Sequence, residues 1–250
     1  MSYPYLQNNQ GVFLGLSLVL SSNILLMIYF YIMEQFKWAS THNIQKRTII
    51  TPISKLRIIH HFKNTEGFLT LIAYFYFTQR YDLIPVCYYS ISESTQWTRV
   101  ILLLITQDFL QYLVHRLEHR FHHINQSLYS QGHQKHHQVI NPKFDDAFKG
   151  SILDTFFMIL LPLHLSLHIV RANYWTLTCF GSIYSCWLTI IHTEYSHPWD
   201  LFFHRLGLGT SSDHHIHHLL LKYNYGHLFM YWDKLFGTYK DPKKYFLNIF

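Results

Sequence analysis

Residues 100–119 read VILLLITQDFLQYLVHRLEH, and this stretch decides the fold. Val100 to Val114 is a largely apolar run, and it continues without a break into His115 and His119. On a helix, residues four apart are neighbours on one face, about 5–6 Å from each other. Two imidazoles so placed can approach one metal ion at about 2.0–2.1 Å each. An apolar helix that ends in such a pair points to an integral membrane protein with a metal site where the span meets the polar face.

The pattern recurs further along the chain. His133, His136 and His137 form H-x-x-H-H, and His214, His217 and His218 repeat it. Positions i, i+3 and i+4 again share a helix face. His192 closes an apolar run, and His197 follows five residues later. A lone H-x-x-x-H arises by chance; three clusters in order, each bordering an apolar run, read as a metal centre. The candidate ligands are therefore His115, His119, His133, His136, His137, His192, His197, His214, His217 and His218. That set exceeds the four ligands of one zinc ion and suits two first-row metals with five or six ligands each. Neutral rings leave the metal charge almost uncompensated, which favours a bridging oxide or hydroxide and oxidative chemistry. Asp108, Glu118, Asp213 and Glu194 are candidate carboxylates for orienting the ring N–H groups. Zinc hydrolysis is disfavoured, because no H-E-x-x-H occurs, and bis-histidine haem ligation needs two rings, not nine. His42, His60, His61 and His204 have no trusted partner spacing. His164 and His168 are four apart, but packing within an apolar span explains them. His122, His123 and His215 adjoin ligand candidates yet point elsewhere on a helix.

The rest of the chain supplies a membrane frame. Charged residues make up 14% of the 250, against roughly 25% in average soluble domains, so much of the surface is expected to face lipid. The net charge of +6 accompanies no nucleic-acid fold signature, and a membrane surface is the better partner. Three scattered cysteines make no disulfide framework. Apolar segments near 12–33, 67–91, 99–114, 152–170 and 174–191 predict an all-α bundle with four to five membrane-embedded helices. Val12 to Met33 lacks a basic start and reads as an uncleaved span. The basic 34–66 connection is placed on the cytoplasmic or matrix side. Residues 115–150 and 192–250 then emerge on that same face as a polar helical cap carrying the two metals. The expected organisation is 1–94 as membrane helices and basic loop, 95–240 as the metal domain, and 241–250 as a tail.

These motifs resemble the fatty acid hydroxylase/sterol desaturase superfamily of membrane di-iron oxygenases. The matching text is Tyr112-Leu-Val-His-Arg-Leu-Glu-His119, Gly132-His-Gln-Lys-His-His137 and Asp213-His-His-Ile-His-His218. It continues in Asn224-Tyr-Gly226 and Trp232-Asp-Lys-Leu-Phe-Gly-Thr-Tyr239. The resemblance covers roughly residues 95 to 240. It implies two iron ions, with zinc as the substitute in purified samples. It also implies an endoplasmic-reticulum membrane, a fatty acyl or sterol substrate, and O2 with two electrons from a cytochrome b5-type donor. No His-Pro-Gly-Gly stretch of a fused cytochrome b5 occurs, so that donor is expected to be a separate protein. One departure stands out. Where sterol-oxidising members have His-Pro-x-Glu after the second cluster, this chain has Ser151-Ile-Leu-Asp154, so that supporting contact is not carried over. Asn224-Tyr-Gly226 reads locally as a turn with positive φ, and Trp232, Phe236 and Tyr239 as packing or interfacial anchors. A competing expectation is an accessory subunit among other membrane subunits, with a mitochondrial inner-membrane home suggested by the Ile-, Phe-, Tyr- and Asn-rich composition.

Overall fold

The computed structural model describes residues 8–45, 57–59, 65–124, 130 and 132–246. Among them every extended regular element is a helix, with only two isolated β-bridges, Asn43 to Tyr195 and Leu208 to Phe229. Five helices build the bundle: α1 (Asn8–Gln35), α2 (Thr65–Arg80), α3 (Trp97–Ile124), α5 (Ile152–Ile169) and α6 (Tyr174–Ile191). Between α3 and α5 lies the one-turn helix α4 (Gln134–His137). After α6 come α7 (Asp200–Arg205), α8 (Ser211–Leu220) and α9 (Tyr231–Leu235).

Three helical segments, Ser17–Gln35, Trp97–Arg120 and Ile152–Ile169, are long and apolar enough to cross a membrane. Their outer faces carry large apolar side chains: Leu25 is 67% exposed, Ile101 56% and Ile169 63%. Such contiguous exposure is unfavourable in water and neutral in lipid. Inside, α6 packs against α1 and α3, and α5 packs against α3. Tyr88, Leu103, Leu167, Phe180 and Leu188 lie in the main core, and Phe30, Phe144 and Tyr195 in a second beneath the cap.

One expected segment is shorter than the apolar text suggests. The run near 67–91 does not continue as one helix. α2 ends at Arg80, Asp82 takes φ 51°, and a short 3-10 turn over Val86–Tyr89 follows. Arg80 and Asp82 introduce charge, and Pro85 cannot donate a backbone hydrogen bond, so the helix stops here while Ile84 and Tyr88 still pack into the main core.

The topology places the histidines at one end. The C-terminal ends of α1, α3 and α6 and the N-terminal ends of α2 and α5 share a face. Asn43 bridges to Tyr195 there, and Arg57 pairs with Glu194 at 3.1 Å. On the opposite end Asn173 donates to the Glu93 and Ser94 carbonyls, joining the α5–α6 turn to the start of α3. From Trp97, about 18 residues at ~1.5 Å rise bring His115 roughly 27 Å along the axis, close to the thickness of a hydrocarbon core.

A buried carboxylate ties the cap to the bundle. Asp108, fully buried on α3, accepts from the Leu228 and Phe229 backbone N–H groups at 2.7 and 2.9 Å and from the Trp232 indole at 3.0 Å. Asp233 does similar work next door, accepting from the N–H of Tyr225 and of Gly226 at 2.9 and 2.7 Å. Asn224 takes φ 53° as a turn residue should. Gly226, however, is not at positive φ; a Cβ there would stand 2.6 Å from the Phe229 carbonyl oxygen, so close approach of the chain requires glycine. Asp108→Ala would leave three buried donors unpaired, and at about 1–3 kcal/mol each a loss of several kcal/mol of stability is expected. Thermal unfolding in detergent checks this; an unchanged midpoint would disprove the anchoring role.

Candidate metal centre

Each histidine cluster reaches the site on an element whose local chemistry fixes it. His115 and His119 occupy the last turns of α3, and His192 sits at the C-terminal end of α6. α8 is started by Thr210, whose hydroxyl accepts from the Asp213 N–H while Asp213 accepts from the Thr210 N–H. This reciprocal cap sets the register that turns His214, His217 and His218 into the interior, all within 2% exposure. His133 begins α4, and His136 and His137 complete it.

The rings assemble into two adjoining groups. His115, His119, His133, His137 and His217 form one, and His136, His192, His214 and His218 the other. Within each, the ligand nitrogens lie within 4.8 Å of one another, near the ~4 Å expected across one ion with bonds of about 2.0–2.1 Å. The groups abut through His137 and His218, whose centroids are 4.6 Å apart.

Backbone carbonyls hold most rings from behind. The Nδ1 of His115 donates to Tyr225 O at 2.8 Å, that of His136 to Lys149 O at 2.9 Å and that of His192 to Leu188 O at 2.6 Å. His217 donates to Tyr223 O and His218 to Val139 O, both at 2.8 Å. A carbonyl oxygen only accepts, so these rings carry their proton on Nδ1 and keep a lone pair on Nε2. Those lone pairs face one another in His136 and His192, whose Nε2 atoms are 3.3 Å apart, and that of His115 faces Nε2 of His133, whose Nδ1 meets Asp154, at 2.8 Å. Neither of two such nitrogens has a proton to offer, and the contact is repulsive until a cation lies between them. The donor set therefore fits two metal ions held by imidazole, and neither group contains a carboxylate.

Burial also sets protonation. His133, His137, His214 and His218 lie well below the usual imidazole value, and His217 is pushed down to about 3, first by desolvation. Neighbouring rings add to the effect in every one of these. Uncharged imidazole is the metal-binding form.

The structure does not place every expected residue at the site. His197 lies outside both groups. Its Nδ1 hydrogen-bonds Tyr29 Oη at 2.8 Å and its Nε2 hydrogen-bonds Thr193 Oγ1 at 2.9 Å, while its ring stacks on Trp199. α6 ends at Ile191, so no helical register ties His197 to His192, and it turns toward α1. Three carboxylates expected to orient rings do other work. Asp108 holds the 228–232 backbone and indole, Asp213 caps α8, and Glu194 pairs with Arg57. Glu118 approaches His133 Nδ1 only to 3.8 Å. The carboxylate that meets a ring is Asp154, 2.8 Å from His133 Nδ1. The shortened acid reaches because Gly150 leaves room, a Cβ there falling 2.0 Å from Asp154 Oδ2. Ser151 also caps the helix start through the Asp154 N–H, and a π turn over Thr155–Leu160 follows directly. His227 was missed: it lies beside both groups with no histidine at helical spacing. His60, His61 and the side chains of His122 and His123 lie outside the described residues. Trp232 and Phe236 pack rather than line the rings, Trp232 on Asp108 and Phe236 stacked on Tyr112.

Comparison with known proteins places this arrangement. Residues 100–238 match the family described as fatty acid hydroxylase, and the chain belongs to that family. It is 41% identical over 243 residues to the alternative squalene epoxidase of Phaeodactylum tricornutum, covering 96% of this chain and 69% of that protein. It is 28% identical to alkylglycerol monooxygenase of Homo sapiens, covering 69% and 36%, and 29% identical to lathosterol oxidase of Rattus norvegicus, covering 58% and 46%. The chain thus spans less than half the length of the latter two. No solved structure matches.

The buried rings predict a pH dependence for the metal-free protein. His215 and His217 are lowered by burial to about 4 and about 3. Their folded values lie below the unfolded ~6.5, so the unfolded chain binds protons first as pH falls. Stability is complete above pH ~6.5 and declines toward pH ~3, each ring contributing up to about 1.4 kcal/mol per pH unit. Denaturant unfolding of chelated protein at pH 7.5 and 5.5 measures this; equal midpoints would contradict it.

Proposed function

We propose that this member of the fatty acid hydroxylase family is a membrane-bound two-iron oxidoreductase that uses O2 and two electrons to oxidise a lipid. The observation that carries the reading is the convergence of nine imidazole nitrogens in two groups at the end of apolar helices. His115, His119, His133, His137 and His217 would hold one ion, and His136, His192, His214 and His218 the other. Iron fits an all-imidazole set used for oxidation; zinc would occupy the same nitrogens without redox chemistry.

The two ions, when bound, supply activation of O2. The chain supplies the rest. Tyr225, Lys149, Leu188, Tyr223 and Val139 carbonyls, together with Asp154, fix ring orientation before any ligand arrives. Near-complete burial of the rings excludes bulk water. α3 presents His115 and His119 where an apolar span ends, so a lipid can reach the site from the bilayer rather than from water.

Among lipids, an isoprenoid or sterol-type hydrocarbon is the leading class. Support comes from the squalene epoxidase relative, which matches along 96% of the chain, and from the sterol oxidase. Epoxidation joins hydroxylation and desaturation as a reaction type. In the first two, one oxygen atom enters the lipid and the other leaves as water with two electrons and two protons. In desaturation both oxygen atoms leave as water and the lipid loses two hydrogens. The electrons would come from a separate cytochrome b5-type protein docking at the cap, in the endoplasmic reticulum membrane.

Iron-loaded full-length protein in lipid nanodiscs, given reduced cytochrome b5, 18O2 and either squalene or a sterol, is expected to yield a product with one 18O or a new double bond. Failure with every lipid, despite two bound irons, would sink the oxygenase reading. Elemental analysis tests the ligand assignment separately. His217→Ala and His192→Ala are each expected to drop bound iron from about two ions to about one, whereas His197→Gln keeps about two. Asp154→Asn is expected to weaken iron retention roughly 10–100-fold. Equal iron in all four variants would refute the assignment.

A further inference from the structure

His227 belongs to neither ring group, yet it touches both. It is 5% exposed. Its ring centroid lies 5.0 Å from that of His115, in the five-ring group, with the planes inclined by 27°. It lies 5.4 Å from that of His214, in the four-ring group.

The backbone around it is pinned on every side. Asp108 accepts from the next two N–H groups, those of Leu228 and Phe229. The Trp187 indole donates to the His227 carbonyl at 3.1 Å. Gly209 packs beneath that carbonyl so tightly that a Cβ would stand 2.3 Å from the oxygen. The ring itself has no such support: among the described residues its Nδ1 is buried without a hydrogen-bond partner, as are those of His137 and His214. This contrasts with the five rings whose Nδ1 is spent on a carbonyl. A polar atom buried this deeply in so rigid a frame is costly unless something bound satisfies it.

We propose that His227 is a positioning residue that hydrogen-bonds a small exogenous ligand, such as solvent or a small anion, shared between the two ring groups, and is not a tenth metal ligand. The inference rests on the two-metal reading above. One feature argues against ligation: its nitrogens fall outside both convergent sets. A neutral imidazole offers one donor and one acceptor.

Azide is the probe, titrated into oxidised, iron-loaded full-length protein and followed by its charge-transfer absorption. His227→Phe keeps the ring's bulk and removes the hydrogen bond. It is expected to retain two irons while azide affinity falls about tenfold. His227→Gln restores a donor and an acceptor and is expected to recover most of that affinity, which also covers the case in which the Phe variant folds poorly. Unchanged azide affinity in both variants would overturn the proposal, and so would loss of one iron from either, which would make His227 a ligand. Wild-type protein that takes up fewer than two irons would instead bring down the two-metal reading on which it stands.

Discussion

Imidazole lone pairs facing each other at hydrogen-bond distance, with no proton to share, are the constraint around which the cap is organised. Nothing within the groups relieves that repulsion, so it is held in place from outside. Six of the nine rings are clamped through the other nitrogen, five by a backbone carbonyl and His133 by Asp154: 223 and 225 from one turn, 139 and 149 from the α4–α5 connection, 188 from α6. Because carbonyls belong to the backbone, the clamps do not depend on which side chains occupy those positions. The site is thereby prepared for cations at the expense of stability without them.

Those clamping segments need anchors of their own, and the anchors are buried carboxylates. Asp108 reaches out of α3 to hold 228 and 229, and Asp233 folds the 224–226 turn back on itself. Asp213 starts α8 in the right register. These anchors act beside the apolar contacts that join cap and bundle, where Phe144 and Tyr195 pack on Phe30 of α1. The carboxylates are thus distributed as scaffolding one layer behind the rings, with Asp154 in direct contact with one of them.

Spacing made most of the site legible. The i, i+3 and i+4 offsets at 115/119, 133/136/137 and 214/217/218 place rings on one face of a helix whatever the helix packs against, and His192 was visible because an apolar run stopped there. The relation between the groups was not legible. His136 and His137 are adjacent in the chain but serve different groups, because consecutive helical residues point about 100° apart and only the packing of α6 and α8 decides which ring meets which. His197 shows the opposite error: near His192 in sequence, it is turned away by Tyr29 on α1, some 168 residues distant.

The amino-acid sequence by itself determined an all-helical membrane protein, the face on which the polar segments gather, and nine of the rings, because hydrophobic run length and helical periodicity are local properties. Only the tertiary structure decided the partition into five and four rings, the choice of Asp154 over Asp108, Asp213 and Glu194 as the carboxylate beside a ring, and the presence of His227 between the groups. Each of these is a contact between segments far apart in the chain. Asp154 and His227 also depend on space left by Gly150 and Gly209, and local pattern carries no record of such space.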